Sequence, residues 1–355
     1  MRSLGQNWRR ARRPACAAVL AWTLLLGGCA RLLTGDAGQP PAIAVATTPD
    51  PPRRPDKPLV MVAMPDSPAF QTVRHTLVSE LKKDFDVATR LVDAKTTAVA
   101  FSADLQRSGA ASVVLMDNRT IKLYRAYQAD QAAAGAATIP AVVAMSSFLE
   151  EVHAQVPNTT GVAYEVPGVT AFVRLRDIVK TPVRRVGVIH RPVFDRFIAR
   201  QKELAAKEQI ELVPIAVSAN PDPKEVQSAL RRLKTGPAVD ALWILNDNRL
   251  LPSGEFLETA WRSGAAALDV PIVVGIAALV SEEAHFGTFA VVPDLDALGV
   301  QTANLVFELA DRHWNADGLP VELPVSTVTV GNVRELRQRF GLREGALQRI
   351  DRAVE

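Results

Sequence analysis

The chain has 355 residues, of which 48% are hydrophobic and 22% are charged, and its formal net charge is +3. At about 150 residues per domain, this length predicts two domains. The composition lies near the globular average, which excludes disordered, fibrous and collagen-like chains. A polytopic membrane protein is also excluded, because only one apolar run, before residue 30, is long enough to engage a membrane.

The first 28 residues are typical of a secretory signal. Five arginines precede an apolar run over residues 15–26, and the letters LGGC, ending in Cys29, resemble a bacterial lipobox. Small residues before the cysteine suit the signal peptidase, and the Cys29 thiol would receive a diacylglyceryl group. The alternative is a plain signal peptide or a short anchor helix in which Cys29 is a packing residue, although the apolar run is too short to span a bilayer comfortably. We therefore predict a signal peptide over residues 1–28 and a lipidated Cys29.

Removal of residues 1–28 changes the charge and the cysteine count. The segment holds five Arg and no Lys, Asp or Glu, so the net charge of the remaining chain is −2. No basic stripe is left that would indicate nucleic-acid binding. Cys16 leaves with the signal, so Cys29 is the one remaining cysteine and no internal disulfide can form.

Residues 29–57 are predicted to be the lipidated cysteine followed by a flexible tether. The segment from Ala30 to Lys57 is rich in Pro, Ala, Thr and Gly and lacks apolar periodicity. As a flexible chain it would span on the order of 30 Å. In Gram-negative bacteria, Ala rather than Asp after the lipidated cysteine favours export to the outer membrane, so we predict a lipoprotein that faces the periplasm.

Beyond the tether, short β-branched runs alternate with amphipathic stretches. In chain order, the patterns predict a strand over 59–63, a helix over 69–83, a strand over 87–92, the end of a helix over 103–107 and a buried strand over 111–116. The same alternation returns from Arg185. Strands that alternate with helices predict an α/β fold with parallel sheets flanked by helices.

The two halves of the chain contain corresponding segments. Three pairs correspond in the same order: 108–119 (SGAASVVLMDNR) with 235–249 (TGPAVDALWILNDNR), 139–144 with 270–275, and 58–65 with 183–192. One such match could arise by chance, but three in order predict two similar Rossmann-like lobes.

Polar residues at the predicted strand ends define a candidate ligand cleft between the lobes. In open parallel sheets, ligands bind beyond the carboxyl ends of the strands. The candidates are Asp117, Asn118, Arg119, Ser146, His190, Asn246 and Asp247.

Each type of candidate has a structural alternative. Asp117 and Asp247 could instead cap helices. Arg119 could clamp a carboxylate or phosphate, or lie on a solvated helix face. His190 could donate to a ligand or be a simple loop histidine.

Signatures of catalysis and metal binding are missing from the sequence. It contains no P-loop, no dinucleotide-binding Gly-x-Gly-x-x-Gly after a strand, no Gly-x-Ser-x-Gly and no His-Glu-x-x-His. The five histidines are dispersed, and Glu282, Glu283 and His285 lack a further ligand nearby. We therefore predict no enzyme activity, no cofactor and no metal site.

The segment Asn158-Thr159-Thr160-Gly161-Val162 resembles the Asn-x-Thr-Gly turn of bacterial ABC transporter solute-binding proteins linked to amino-acid uptake. Further segments follow in the order of that family: VRRVGVIHRP, ALWILNDN, VPIVVG, GTFAVVPDLDALG, Leu323-Pro324-Val325 and Phe340-Gly341-Leu342. The resemblance covers about residues 58–342.

This resemblance implies the periplasmic-binding protein type 1 fold, in which two hinged lobes clamp a ligand. The implied division is lobe 1 over 58–165, completed by 296–340, lobe 2 over 166–295, and a C-terminal tail over 341–355. The hinge is expected near 162–170 and 288–295.

The resemblance also places residues at the cleft. Asn246, Asp247 and Asn248 match the family's Thr-Asp-Asn strand tip, and Asp294 matches the acidic residue before its helix with Gly299, which adds Asp294 to the candidate set. The chain departs from the family at three strand ends: Asp117-Asn118-Arg119 replaces Thr-Pro, Ser146-Ser147 replaces Asp-Pro, and His190-Arg191 replaces Tyr-Asn.

The implied function is capture of a small, polar, amino-acid-like ligand for an ABC permease. Because of the departures, a second possibility stays open, in which an envelope lipoprotein uses the same fold as a sensory or protein-interaction module.

Overall fold

The structure is a computed structural model that describes residues 54, 56–153 and 156–355. The predicted signal peptide, Cys29 and most of the predicted tether lie outside these residues. Within the described part of the chain, no helix combines the length and the hydropathy needed to cross a membrane.

Thirteen strands form two sheets among the described residues. The strands of the first sheet are β1 (Leu59–Met64), β2 (Asp86–Leu91), β3 (Ser112–Met116), β4 (Ala141–Ala144), β5 (Thr159–Val162) and β11 (Val321–Glu322). Those of the second are β6 (Arg185–His190), β7 (Glu211–Ala216), β8 (Ala241–Ile244), β9 (Ile272–Val274), β10 (Phe289–Pro293), β12 (Thr327–Asn332) and β13 (Arg352–Val354).

Helices flank both sheets. Those beside the first sheet are α1 (Pro68–Leu81), α2 (Ala98–Ser108), α3 (Asn118–Ala133), α4 (Leu149–His153) and α10 (Leu295–Asp311). Those of the second lobe are α5 (Gly168–Ile178), α6 (Asp195–Lys207), α7 (Pro223–Thr235), α8 (Gly254–Phe256), α9 (Ser263–Ala266) and α11 (Val333–Glu335). A π-helical turn, Leu257–Arg262, joins α8 to α9, and a second, Leu336–Phe340, continues α11.

The strand order confirms the predicted α/β fold with two similar lobes. The first sheet runs β11-β5-β4-β3-β1-β2 and the second runs β13-β12-β10-β9-β8-β6-β7, so β1 to β5 and β6 to β10 follow the same order. All pairs are parallel except β10 with β12.

The helices bury both faces of the first sheet. All six residues of β1 are buried, as expected of a parallel strand covered on both sides. Val60 and Val62 pack in one hydrophobic cluster, whereas Leu59, Met61 and Ala63 pack in another. This alternation follows from the two-residue period of a strand, which sends successive side chains to opposite faces.

The chain passes between the two sheets three times among the described residues. The crossings follow β5, β10 and β11, over residues 163–167, at Asp294 and over 323–326. The predicted hinge segments, 162–170 and 288–295, include the first two crossings. The third has no counterpart in the sequence analysis.

The third crossing changes the division of the C-terminal part. The predicted division gives 296–340 to lobe 1 and treats 341–355 as a tail. In the structure, α10 and β11 belong to the first lobe, but β12 pairs antiparallel with β10 and β13 pairs with β12 in the second sheet. The end of the chain therefore completes lobe 2, because β12 pairs with the edge of β10 and β13 extends the sheet beyond β12.

The last residues of the predicted tether contact lobe 1. The Arg54 guanidinium donates to the Lys82 carbonyl at 2.7 Å and, through Nε, to Oδ1 of Asp86 at 3.1 Å. These hydrogen bonds attach the chain to the start of β2 before Lys57, the last residue of the predicted tether.

Gly161, in the Asn-Thr-Thr-Gly segment, allows β5 to lie close to its neighbours. A Cβ atom there would stand 2.2 Å from the Val143 carbonyl oxygen and 2.9 Å from a Leu149 methyl group. We expect Gly161→Ala to lower the free energy of unfolding by about 1–3 kcal/mol, because β4 and α4 would have to shift. Urea unfolding would measure this change.

Gly254→Ala is the matched control, because nothing lies within 4 Å of the added Cβ and the backbone is not left-handed. Its effect should stay within about 0.5 kcal/mol, as for other surface substitutions. Equal stability of the two variants would contradict the close packing of β5.

Candidate functional site

The two lobes contact each other through residues 146–151, which follow β4 and are called here the contact segment. In a parallel sheet the carboxyl ends of the strands share one edge, so the residues after β4 lie beside those after β3. The corresponding edge of the second lobe carries the ends of β6 and β8. The candidate site is therefore the junction between these two edges.

Asn118 fixes the start of the contact segment. Its Oδ1 accepts hydrogen bonds from the Ser146 hydroxyl and from the Ser147 amide, the latter at 2.8 Å, while its Nδ2 donates to the Ser147 carbonyl at 3.2 Å. The amide of Asn246, after β8, donates to Oγ of Ser147 at 3.0 Å across the junction. The structure thus brings together three predicted site residues, Asn118, Ser146 and Asn246, with Ser147 between them.

Phe148 enters the second lobe. Its ring centroid lies 4.1 Å from that of Phe194 and 5.2 Å from that of Phe197, the latter in an edge-on arrangement. Phe148 is 6% exposed and is part of the hydrophobic core of lobe 2. Its φ angle is +57°, and that of Met145 is +54°, so two non-glycine residues hold the left-handed conformation around this turn. That conformation costs about 1–2 kcal/mol per residue and is stabilised here by the aromatic contacts.

The amide of Phe148 donates to Oε2 of Glu165 at 2.7 Å. Glu165 lies in the first crossing, between β5 and α5. Its second carboxyl oxygen, Oε1, is buried and has no hydrogen-bond partner. Burial raises the pKa of Glu165 to about 8, and the nearby charge of Glu150 adds to the effect.

A small cavity lies at the junction. Its volume is about 30 Å³, and its lining includes Phe148, Glu165, Phe197, Trp243 and Asn246. A site for one water needs roughly 10–15 Å³ by this measure, so the cavity has room for about two water-sized groups. It combines apolar and aromatic walls with a carboxyl group and an amide, as ligand pockets commonly do.

Two predicted site residues act as helix caps in the structure. Oδ1 of Asp117 accepts from the Thr120 amide at 2.7 Å at the start of α3, and burial raises the pKa of this carboxyl group. Oδ1 of Asp294 accepts from the amides of Asp296 and Ala297 at the start of α10, at 3.0 and 3.2 Å. These carboxylates satisfy amides that have no partner within their helices.

Arg119 contacts a neighbouring loop, and His190 contacts the start of α6. The Arg119 guanidinium donates to the carbonyls of Ala94 and Thr96, at 2.9 and 3.0 Å, and so holds the connection between β2 and α2. His190 is buried, with Nδ1 lying 3.3 Å from Oδ1 of Asp195.

Asp247 forms a bidentate ion pair with Arg191. The two hydrogen bonds are 2.6 and 2.8 Å long, and the exposed fractions of the side chains are 1% for Asp247 and 15% for Arg191. Oδ1 of Asp247 also accepts from the amide of Arg249 at 2.9 Å. Both carboxylate oxygens therefore have partners within lobe 2.

The sequence analysis missed Phe148 and Glu165. The one signal for Glu165 is a charged residue inside the otherwise apolar stretch from Val162 to Pro167. The signal for Phe148 is its position directly after Ser146-Ser147, where the sequence departs from the family pattern. Among the described residues, no group of three or more His, Cys, Asp or Glu side chains could hold a metal ion.

No protein-family model and no curated protein sequence matches the chain. Solved structures do match. A domain from Streptococcus pneumoniae in complex with L-Trp is 19% identical and has a TM-score of 0.57, with 84% of this chain and 100% of that one covered. A ligand-free, open substrate-binding protein with adhesive properties from Clostridium difficile is 16% identical, with a TM-score of 0.57 and coverage of 84% and 99%.

A third structure, a conserved domain protein from Vibrio cholerae, is 20% identical and has a TM-score of 0.56, with 84% of this chain and 100% of that one covered. Together with the strand order, these similarities show that the protein has the two-lobed fold of the periplasmic-binding proteins of type 1. The predicted fold is confirmed.

The ion pair between Asp247 and Arg191 generates a stability prediction. We expect Asp247→Ala to lower the free energy of unfolding by about 3–5 kcal/mol, because it leaves a largely buried guanidinium without its counter-charge. Urea unfolding would measure the loss. The control is Glu258→Ala, which removes an exposed pair with Arg262 and should cost less than about 1 kcal/mol. Similar costs for both would show that Asp247 has no special structural role.

Glu165 generates a prediction of pH dependence. The ordinary pKa of a glutamate is 4.5, whereas that of Glu165 in the folded chain is about 8. Between these values the folded state holds one more proton than the unfolded state, so stability is full below the lower value and falls as pH rises to the upper one. The slope is at most about 1.4 kcal/mol per pH unit.

Glu165→Gln removes this titration, because the amide stays neutral. The free energy of unfolding of the variant, relative to wild type, should therefore increase between about pH 5 and about pH 8, as measured by urea unfolding at each pH. A difference independent of pH would show that the carboxyl group is solvated.

Proposed function

We propose that this protein is a lipid-anchored solute-binding protein that captures a small, polar, amino-acid-like metabolite between its lobes for an ABC importer. The observation that carries the proposal is the cavity at the lobe junction, which is lined by Glu165 together with aromatic side chains and in which Glu165 keeps one buried carboxyl oxygen without a hydrogen-bond partner. The fold supports it, since one similar structure is described as a complex with L-Trp and another as a substrate-binding protein. The signal and Cys29 support a lipid anchor, and Ala30 supports the outer membrane.

Binding of an amino-acid-sized ligand requires the lobes to separate, because a cavity of about 30 Å³ is too small for it. The contacts that must break are the hydrogen bond between Asn246 and Ser147, the ring contacts of Phe148, and the ion pair between Glu150 and Arg200. The ion pair is partly exposed and contributes little. A ligand that contacts both lobes would then favour the closed form over the open one.

One observation favours a second candidate function. Phe148, from the chain itself, fills much of the space where the lobes meet. This is compatible with an envelope lipoprotein that uses the fold as a sensory or protein-interaction module. An outer-membrane anchor would also separate the protein from an inner-membrane permease, so membrane fractionation helps to distinguish the two functions.

A thermal-shift screen of the full-length protein in detergent, against amino acids, short peptides, nucleosides and organic acids, tests the proposal. A ligand at about 100 times its dissociation constant adds about 2.7 kcal/mol, which raises the unfolding temperature by several degrees. We expect a hit, and Asn246→Ala should weaken its binding, because the amide lines the cavity and joins the lobes.

Gln348→Ala is the control variant, since Gln348 also carries an amide but is exposed and does not line the cavity. It should bind as the wild type does. No shift across the whole panel would contradict solute binding and favour the interaction module.

A further inference from the structure

Glu165 is a buried acid with an incomplete set of partners. Its Oε2 accepts from the Phe148 amide, and its Oε1 is buried without a partner. A buried polar atom left without a hydrogen bond costs about 1–3 kcal/mol. Glu165 also lies in a crossing between the lobes, where both lobes can contact whatever binds to it.

The cavity around Glu165 has the chemistry of a cation site. Rings of Phe148, Phe197 and Trp243 are among its walls, and the side chain of Asn246 is a further polar group. No lysine, arginine or histidine is among the residues that line it. A ligand carboxylate would therefore meet no positive charge here, whereas an ammonium group would meet the Glu165 carboxyl group and aromatic rings, which attract cations. Because burial raises the pKa of Glu165 to about 8, an amine that binds at neutral pH displaces the proton of this carboxyl group, and its own charge stabilises the carboxylate.

We propose that this cavity binds the protonated amino group of the solute, with the Glu165 carboxylate as its counter-charge. This inference rests on the proposed function and specifies its ligand as a primary amine. The ligand's amino group is recognised, and a carboxylate on the same ligand is not required.

The dimensions of the site fit this assignment. A volume of about 30 Å³ accepts an ammonium-sized group but little more, so the remainder of the ligand occupies the space that Phe148 fills. Displacement of Phe148 costs the burial and the contacts of its ring. Relief of its left-handed backbone offsets part of this cost, and an apolar part of the ligand that takes its place offsets more. The ligand thus exchanges one apolar group for another at the lobe junction and adds an ion pair.

Calorimetric titration of the full-length protein at neutral pH tests the inference with three matched pairs of probes. Each pair joins an amine to an acid of similar shape: methylammonium with acetate, isopentylammonium with isocaproate, and phenethylammonium with hydrocinnamate. We expect at least one amine to bind and its paired acid not to bind. Glu165→Gln should lower the affinity for that amine by about tenfold or more, the usual effect of losing a charged hydrogen bond.

Two further variants complete the test. Glu165→Asp keeps the charge and should weaken binding less than Glu165→Gln does. Glu203→Gln, at an exposed position of α6, should bind as the wild type does. The inference is overturned if none of the three amines binds to the wild type, or if Glu165→Gln binds the amine as tightly as the wild type does. If the thermal-shift screen still finds a nucleoside or an organic acid, solute binding stands and only the amine assignment falls. If the screen finds no ligand of any class, both proposals fall.

Discussion

The insertion of Phe148 into the second lobe is the contact on which the rest of the junction depends. It places the Phe148 amide on Glu165, brings Ser147 to Asn246 and closes the cavity to about 30 Å³. Without it, Glu165 would face the solvent between the lobes, and its pKa would return towards an ordinary value. The arrangement of the lobes and the electrostatics of the site are therefore one coupled property.

This contact is balanced by costs of similar size. Each aromatic pair contributes about 0.5–1.5 kcal/mol beyond its buried area. The left-handed backbone at Phe148 costs about 1–2 kcal/mol, and the unpartnered oxygen of Glu165 costs about 1–3 kcal/mol. The sum is small compared with the stability of a domain. Separation of the lobes must also expose the Phe148 ring, which costs about 1.5–3 kcal/mol. Under the proposed function, a ligand that partners Glu165 and covers this apolar surface would favour one arrangement over the other.

The fold was predictable because its signals are local. Apolar runs such as 111–116 predict buried strands, and the repeated Asp-Asn-Arg ends predict the duplicated lobe that the strand order shows. The placement of β12 and β13 in the second sheet was not predictable from the sequence, because pairing at the far edge of a sheet leaves no local pattern. Phe148 and Glu165 were missed for the same reason: their roles arise from contact with the opposite lobe, and alone they look like an ordinary apolar residue and a surface acid.

The repeated Asp-Asn-Arg motif shows how one sequence pattern serves two purposes. In the first lobe, Asp117 caps α3 and Asn118 holds the contact segment. In the second lobe no long helix follows directly, so Asp247 has no such helix to cap and pairs with Arg191 instead, and the charges at the ends of β6 and β8 neutralise each other. Strand ends that could have provided charged ligand contacts are thereby occupied within the fold. In the proposed site, charge recognition falls to Glu165 in the crossing segment, which has no internal counter-charge, and the specificity of such a site would depend on the hinge rather than on either lobe.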